Sequence, residues 1–366
     1  MTRLDIDRLK LVSDRLGEAV LDPARWPDLM EDICGASGSI GACLLQSDIR
    51  TPDVPMTAST REYFKSYFDE QFNVNDVRAI RAVPLLLAGR AAVNDQDIFA
   101  SETEMLRDPL YVHLGTHDLR WFTAVGFFAG SALWGLSIQR TVSEGAFEES
   151  EKRALGALTR RLTETATLSK AVGRTVLSGV TNAFGFIRKA AISIDRLGAV
   201  IEANAAAEAI FDDDLFIADG GLSIRDKNAQ RAFADFLAQL KVTPDVRPLN
   251  VAPIVVRRSR KRPVIIHVLP VDGAARSPFL GGRAILVLSD MQAPQTAQLD
   301  LLCRAFDLTP SEGRIALFLA EGKSPEEAAQ EFVISRETVR AHLKAIFRKT
   351  DTHRQGELIA LIGRLR

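Results

Sequence analysis

The sequence predicts a multidomain protein in which two α/β modules precede an all-α domain of four helices. The chain has 366 residues, which is enough for about three domains of ordinary size. Two stretches with antiparallel strand patterns and flanking helical segments predict the α/β modules. Short amphipathic segments with capping residues predict the all-α domain. The predicted parts are residues 1–148, a connector helix at 149–185, residues 186–291, a linker at 292–299, and residues 300–366.

Composition limits the possible functions. The net charge is −1, with 46% hydrophobic and 25% charged residues, so any nucleic-acid binding must be local rather than a property of the whole chain. The charged N-terminus lacks an apolar signal core, and no apolar stretch is long enough to span a membrane. We therefore expect a cytoplasmic protein with no membrane partner. Cys34, Cys43 and Cys303 are scattered, so we expect no disulfide framework, metal site or cofactor.

The first module opens with helical segments and closes with strands. Leucines up to Leu16 and the helix start at Asp22-Pro23 precede a short buried strand at Ala42–Leu45. An aromatic helical stretch follows at Ser59–Phe72, and another helix is predicted near Glu102–Tyr111. Alternating patterns predict two adjacent strands, at Trp121–Phe128 and Ala132–Gln139.

The connector, Phe147 to about Gly185, has a long helical pattern. Leu155, Leu158 and Leu162 follow the a/d spacing of a coiled coil. Further apolar residues continue at intervals of four, at Leu168, Val172, Val176 and Val180. A continuous helix would be about 50 Å long and would suit parallel dimerisation. The alternative is two helices, each packed on its own module, with a break at Gly173 or Gly179.

In the middle module, a strand at Ala190–Asp195, a turn at Arg196-Leu197-Gly198 and a strand at Ala199–Ala203 form a predicted hairpin. A helix at Asn204–Phe211, another at Asn228–Leu240 and three later strands complete a predicted sheet. The basic run 257–262 lies between two of those strands. It is either a solvated hairpin tip or a second contact to phosphates.

The C-terminal segment carries the signals of a helix-turn-helix. Thr309-Pro310 with Glu312 predicts a capping box, and Gly322 predicts the end of that helix. Ser324 starts a second helix, and Ser335 caps a third one, whose inner face carries Val339, Leu343, Ile346 and Phe347. A fourth helix is predicted at 355–365, with Leu358, Leu361 and Ile362 available for dimerisation.

The third helix has basic residues on its predicted outer face, at Arg336, Arg340, Lys344, Arg348 and Lys349. From Ser335 to Arg354, six Lys or Arg and two acids give a net charge of +4. The second unit of a helix-turn-helix enters the DNA major groove, so a basic outer face there favours DNA binding. The competing interpretation is a solvated helix in a small bundle.

This segment resembles the LuxR-type helix-turn-helix family. Matching positions include Leu308-Thr309-Pro310, Gly322, Thr338-Val339, His342 and the ending Lys349–Leu358, which is similar to the KTG-x-HRQ-x-EL ending of one branch. Ala328, Thr350 and Asp351 depart from the usual residues. The resemblance implies base reading by Arg340, Ala341 and Lys344. The full set of DNA-binding residues is then Ser335, Arg336, Thr338, Arg340, Ala341, Lys344, Arg348 and Lys349.

The α/β modules resemble GAF and PAS sensor modules. In the middle module, the stretch from Asp195 to Asn204 is similar to the D-x-x-G-x-V-x-x-x-N element of PAS domains. With Asp22-Pro23 and Trp26, then Tyr63 and Tyr67, and Asn75-Asp76-Val77-Arg78, the first module resembles the sensor of the same LuxR branch. That resemblance implies that Tyr63, Tyr67 and Asp76 line a small-molecule pocket, as in acyl-homoserine-lactone receptors. Val77 stands where those receptors have proline, and the alternative is that these aromatics only pack a core.

The sequence does not predict an enzyme. The five histidines share no catalytic spacing; His113 and His117 lie four apart, but no HExxH surrounds them, so we expect no metal there. No phosphate-binding loop or nucleophile motif is present. We predict a dimeric transcription regulator whose partners are double-stranded DNA, a second copy of the chain, a small-molecule effector and RNA polymerase. The alternative is a signalling scaffold that uses its helical domain only for dimerisation.

Overall fold

The structure is a computed structural model that describes residues 4–47, 54–242, 251–291 and 296–363. The chain divides into two compact units, Met1–Met291 and Gln292–Arg366. No helix in the described ranges is long and apolar enough to cross a membrane. Each unit is described by itself below.

The first unit begins with a four-stranded antiparallel sheet. Its strands are β1 (Gly41–Gln46), β2 (Ala92–Asn94), β3 (Leu119–Ala129) and β4 (Ala132–Thr141), in the order β1-β4-β3-β2. The predicted adjacent strands are confirmed as the β3–β4 hairpin, in which Ala129 pairs with Ala132. Gly130 has a φ of +67° in the turn, a conformation that glycine adopts without steric cost.

Helices cover both faces of this sheet. They are α1 (Ile6–Arg15), α2 (Glu18–Leu21), α3 (Trp26–Ser37), α4 (Arg61–Asp69), α5 (Val77–Leu87), α6 (Asp95–Ile98), α7 (Glu102–Leu106) and α8 (Pro109–Thr116). The helix predicted near Glu102–Tyr111 is two helices instead. Asp108 caps the second one and Pro109 opens it, which sets a new helix start inside the expected helix.

The predicted connector is also two helices, α9 (Glu149–Gly156) and α10 (Leu158–Phe186). The break between the two helices falls at Ala157, and not at Gly173 or Gly179, where the sequence suggested it. Leu155, Leu158 and Leu162 are buried in the core shared with α1, α3 and the first sheet. The assignment of these leucines to a dimer seam was therefore wrong, because their own module covers them.

A second antiparallel sheet, of five strands, follows α10. Its strands are β5 (Ala190–Asp195), β6 (Val200–Ala203), β9 (Ile254–Val256), β10 (Val264–Pro270) and β11 (Gly282–Asp290). Two helices, α11 (Ala205–Glu208) and α12 (Lys227–Val242), lie between β6 and β9 in the sequence. The strand order is β6-β5-β11-β10-β9, and β7 (Leu215–Ala218) and β8 (Gly221–Ile224) form a separate hairpin. Asp195 accepts hydrogen bonds from the amides of Leu197 and Ala199, both at 2.8 Å, which fixes the predicted turn.

The connection from β10 to β11 packs against the first part of the unit. The ring of Phe279 contacts the rings of Trp26, Phe127 and Trp134 edge to face. The hydroxyls of Ser277 and of Ser169 on α10 lie 2.8 Å apart and are buried. A Cβ on Gly173 would lie 2.7 Å from the carbonyl oxygen of Ala274, so the absence of a side chain permits this close approach. The connection between β10 and β11 therefore contributes Phe279 to the core of the first sheet.

The basic run 257–262 is more than a solvated tip. Arg258 is buried; it lies 2.6 Å from Asp290 and 3.4 Å from Asp212, and it donates to the carbonyl of Arg262 at 2.7 Å. Lys261 pairs with Asp212 at 3.0 Å. Arg258 and Lys261 are thus engaged by carboxylates of their own module, which leaves less charge for a phosphate contact.

The second unit consists of helices in its described residues. They are α13 (Thr296–Phe306), α14 (Pro310–Ala320), α15 (Pro325–Glu331), α16 (Arg336–Thr350) and α17 (Gln355–Gly363). The prediction of four helices missed α13, which begins inside the expected linker. Leu358 and Ile362 of α17 are buried against Ile315, Leu319 and Ile346, so they stabilise this unit and are not exposed for dimerisation.

Candidate functional site

Capping residues set the starts of the three helices in the helix-turn-helix. The Thr309 hydroxyl accepts from the amide of Glu312, and the Glu312 carboxylate accepts from the amide of Thr309 at 2.7 Å. Ser324 and Glu327 repeat this reciprocal pair at α15. Ser335 caps α16 by accepting from the amide of Thr338 at 3.0 Å. The predicted helix starts are confirmed, since each cap satisfies amides that lack a partner within the helix.

Small residues bring α15 and α16 close together. Ala328 is buried against Val339 of α16, and Ile346 packs into the core of α14 and α17. Thr350, which stands where the wider family has a larger aliphatic residue, donates its hydroxyl to the carbonyl of Ile346 at 2.8 Å. This inner face fixes the rotation of α16 about its own axis, and hence which residues face outward.

The turn between α15 and α16 contains Val333, whose φ is +53° and whose side chain is 89% exposed. A β-branched residue rarely adopts a positive φ, because its side chain crowds the backbone there. The amides of Val333 and Ile334 bond the carbonyls of Gln330 and Ala329, at 3.3 and 3.0 Å. These bonds close the turn, so the tight connection carries local strain at Val333.

Seven of the eight predicted DNA-binding residues are exposed. They are Ser335, Arg336, Thr338, Arg340, Ala341, Lys344 and Arg348. Within the described ranges, the charged ends of Arg336, Arg340, Lys344 and Arg348 make no hydrogen bond or ion pair with the protein. Four cations along one helix face therefore remain available for an anionic partner.

Lys349 is different from the other seven. Its Nζ lies 2.8 Å from Oε2 of Glu312, and only 25% of its side chain is exposed. Its placement on the outer face was wrong, because it pairs with a carboxylate of α14. Burial acts to raise the pKa of Glu312, but Lys349 and the Thr309 cap outweigh it and lower that pKa. Lys349 thus joins the end of α16 to the start of α14.

A second candidate site lies in the first unit. A cavity of about 70 Å³ opens on the face of the first sheet that carries Leu133, Gly135, Ser137 and Gln139. Helices α4 and α5 supply most of the rest of its wall, at Tyr63, Phe64, Tyr67, Asp76, Arg78, Ala79, Ala82, Val83 and Leu86. Leu136 and Ile138 alternate with those strand residues and belong to the core on the opposite face.

All three predicted pocket residues line this cavity. Tyr67 donates its hydroxyl to Asp76 at 2.7 Å, and the same carboxylate accepts from the amide of Ala79, which caps α5. Tyr63 and Tyr67 are buried and also contact Phe64 edge to face. The two interpretations of these aromatics are therefore compatible, because one face of the cluster packs a core while another borders free space.

Sequence reasoning did not place Arg78 in the pocket, although Arg78 makes several polar contacts at the cavity wall. Its guanidinium donates to the hydroxyl of Tyr111 at 2.9 Å and to Gln139 at 2.8 Å, and lies 3.8 Å from Asp95. Burial raises the pKa of Asp95 to about 6, although Arg78 acts to lower it. The partners of Arg78 are 17 to 61 residues away in sequence, so no local pattern signals this network.

The comparisons with known proteins agree with the first of these sites. Residues 307–362 match the family model of bacterial regulatory proteins of the luxR family, and this range contains α14 to α17. No curated protein matches the chain.

Solved structures similar to this chain include a phage VqmA–DPO complex. It is 18% identical over 51% of this chain and 87% of that one, with a TM-score of 0.20. An E. coli DhaR(N)–DhaL complex is 13% identical over 78% of this chain and 88% of that one, with a TM-score of 0.24. Likenesses this distant carry no argument about function.

The family match and the geometry of α14 to α16 together define the class of protein. The chain carries a LuxR-family helix-turn-helix domain at residues 307–362, and such a domain indicates a DNA-binding transcription regulator.

Proposed function

We propose that this protein regulates transcription by binding a specific DNA sequence, with α16 lying in the major groove. The proposal rests on the exposed face of α16, where Arg336, Arg340, Lys344 and Arg348 form no ion pair with any residue that the structure describes. A helix of 15 residues is about 22 Å long, and the major groove accepts an α-helix side on.

Residues along α16 fit different parts of the groove. Arg340 and Lys344 are four residues apart and share one face, which suits hydrogen bonding to guanine O6 and N7. Ala341 beside them presents a methyl group that suits contact with a thymine methyl. Arg336 and Arg348 lie toward the two ends of the helix, where we assign them to phosphates.

The experiment is fluorescence anisotropy of the full chain on its own DNA sites, recovered from a genome-wide map of bound fragments. We expect saturable binding that weakens steeply with salt, because each neutralised phosphate releases counterions. A shuffled sequence should bind much more weakly. The alternative, a scaffold that uses the helical domain only for dimerisation, predicts no saturable binding to either DNA at any salt concentration.

We further propose that the protein acts as a homodimer through the part of α10 from Leu168 to Val180. Leu168, Val176 and Val180 are 56%, 40% and 41% exposed at spacings of four or eight, which makes an apolar stripe on a helix about 43 Å long. Light scattering of a Val176→Glu, Val180→Glu variant tests this. A monomeric variant beside a dimeric wild type supports the stripe, and a monomeric wild type on DNA excludes it.

We propose that the cavity of the first unit holds a small effector with polar groups at one end. Asp76, Tyr67, Ser137 and Gln139 offer donors and acceptors, while Leu86 and other apolar residues line the remainder. Gly135 permits a clean test, because a Cβ there meets nothing within 4 Å. Gly135→Leu should fill the cavity and abolish the rise in melting temperature that a metabolite gives the wild type. A shift that survives in this variant places the ligand elsewhere.

A further inference from the structure

Two histidines of α8 converge on one hydroxyl of α4. The Nε2 atoms of His113 and His117 each lie 3.0 Å from Oγ of Ser66, and the centres of the two rings are 5.2 Å apart. Histidines four residues apart share one face of a helix. The sequence showed this spacing, but it could not show that both rings direct the same nitrogen to one point.

The hydrogen bonds around Ser66 compete for a proton. Its hydroxyl has one hydrogen, while the carbonyl of Tyr63 lies 2.9 Å away and both imidazoles lie at 3.0 Å. If Ser66 donates to Tyr63, each Nε2 must carry a hydrogen to bond the hydroxyl oxygen. If instead both Nε2 atoms are unprotonated, the single hydroxyl hydrogen of Ser66 can bond only one of them, and the other Nε2 receives no hydrogen bond from Ser66.

Glu70 favours the second arrangement for His113. Its Oε2 lies 3.6 Å from Nδ1 of His113, so a hydrogen on Nδ1 faces the carboxylate and leaves Nε2 with a free lone pair. A carboxylate beside the non-ligating nitrogen is also the usual neighbour of a metal-binding histidine.

We propose that His113 and His117 bind a divalent transition-metal ion of the Zn²⁺ type through their Nε2 atoms. Imidazole nitrogen is a preferred ligand of such ions. Among the described residues, no group of three His, Cys, Asp or Glu side chains could hold a metal. The proposed site therefore has two imidazole ligands, and we assign its remaining positions to solvent oxygen and the Ser66 hydroxyl.

The position of this metal site connects it to the cavity. The ring of Tyr63, which lines the cavity, lies 5.7 Å from the ring of His117 and 6.0 Å from that of His113. An ion held by α8 next to Ser66 would restrain α4, the helix that carries Tyr63 and Tyr67. Metal binding would thus fix one wall of the cavity without entering it. Metal binding at this site requires neither DNA nor an effector.

The test is equilibrium dialysis of the full, tag-free chain against Zn²⁺, with metal analysis. We expect one equivalent per chain in the wild type and its loss in both His113→Gln and His117→Gln. His267→Gln, at an exposed histidine of β10, is the matched control and should retain the ion. Glu70→Gln should retain it with affinity lowered about tenfold or more. Equal retention by all variants, or no retention by the wild type, overturns the proposal.

A second measurement keeps the test decisive if the histidine variants do not fold. X-ray absorption of the Zn²⁺-loaded wild type should show two imidazole nitrogens at about 2.0–2.1 Å, with oxygen as the remaining ligands. A shell that contains sulfur, or no imidazole, would contradict the assignment.

Discussion

The ring of Phe279 lies 5.0 Å from the ring of Trp134, with the two planes at 80°. Phe279 belongs to the connection between β10 and β11, whereas Trp134 is on β4. An edge-to-face pair of this kind contributes beyond the burial of its area. The two α/β parts of the first unit are thus joined on the face of the first sheet that carries Trp134, Leu136 and Ile138, which is opposite the face that lines the cavity.

Phe279→Ala should therefore destabilise the first part of the unit, although the residue belongs to the second. We expect the free energy of unfolding to fall by about 3–5 kcal/mol, since a large void opens among Trp26, Phe127 and Trp134. Urea unfolding with hydrogen exchange of β3 and β4 measures it. Phe216→Ala, at a residue that is 37% exposed, is the control with a smaller effect. Unchanged exchange in β4 would mean that the two parts are not coupled.

The turn of the helix-turn-helix should become more stable when Val333 is replaced by asparagine. Val333 has a φ of +53°, a conformation that costs a β-branched residue more than it costs asparagine. We expect Val333→Asn to raise the free energy of unfolding of the second unit by about 1 kcal/mol. Thermal unfolding measures the change. Val333→Ile, which keeps the branch, should bring no gain, and a destabilised Val333→Asn would show that this backbone is not strained.

The pair of Glu312 and Lys349 should make the second unit sensitive to acid. The pKa of Glu312 is lowered, so its contribution to stability is present above the unfolded pKa of about 4.3. That contribution is lost as the pH falls through the still lower pKa of the folded state. Glu312→Gln should unfold more easily than the wild type at neutral pH. As the pH falls through the pKa of Glu312, the variant should lose less stability than the wild type does. Hydrogen exchange of α14 and α16 at several pH values checks this, and parallel pH profiles would refute it.

Tyr67→Phe should separate the polar role of Tyr67 from its packing role. The variant keeps the ring in the core but removes the hydrogen bond of 2.7 Å to Asp76. We expect a loss of about 1.5–3 kcal/mol, the usual range for a hydrogen bond to a charged group. Chemical denaturation measures it, with Phe68→Leu as a neighbouring packing control. A loss below about 0.5 kcal/mol would show that the pair does not hold the cavity wall.

Local features of the fold were predictable from the sequence, whereas partners across the chain were not. The capping box of Thr309 and Glu312 and the turn at Asp195 depend on residues three or four apart. Lys349 was misplaced because its partner lies 37 residues away. The leucines at 155, 158 and 162 gave a correct helical pattern, but periodicity does not reveal which surface covers an apolar face.

The candidate sites follow the same division. The exposed residues of α16 repeat with the helical period, so the sequence of that helix alone is enough to identify them. The cavity draws Arg78, Gln139 and Gly135 from separate elements, and only their packing brings them together. Val333 gave no signal at all, because backbone strain depends on how tightly the turn closes and not on residue type alone.

Base reading through Arg340 and Lys344 of α16 is the proposed basis of sequence recognition. Its most direct measurement compares Arg340→Ala and Lys344→Ala with Arg314→Ala, an exposed arginine of α14 with the same change of charge, by anisotropy on specific and on shuffled DNA. We expect each α16 variant to lose about 1–3 kcal/mol on the specific sequence and much less on the shuffled one. The control should leave the difference between the two sequences intact. Equal losses on both DNAs would contradict base reading, and unchanged binding in both variants would remove α16 from the interface.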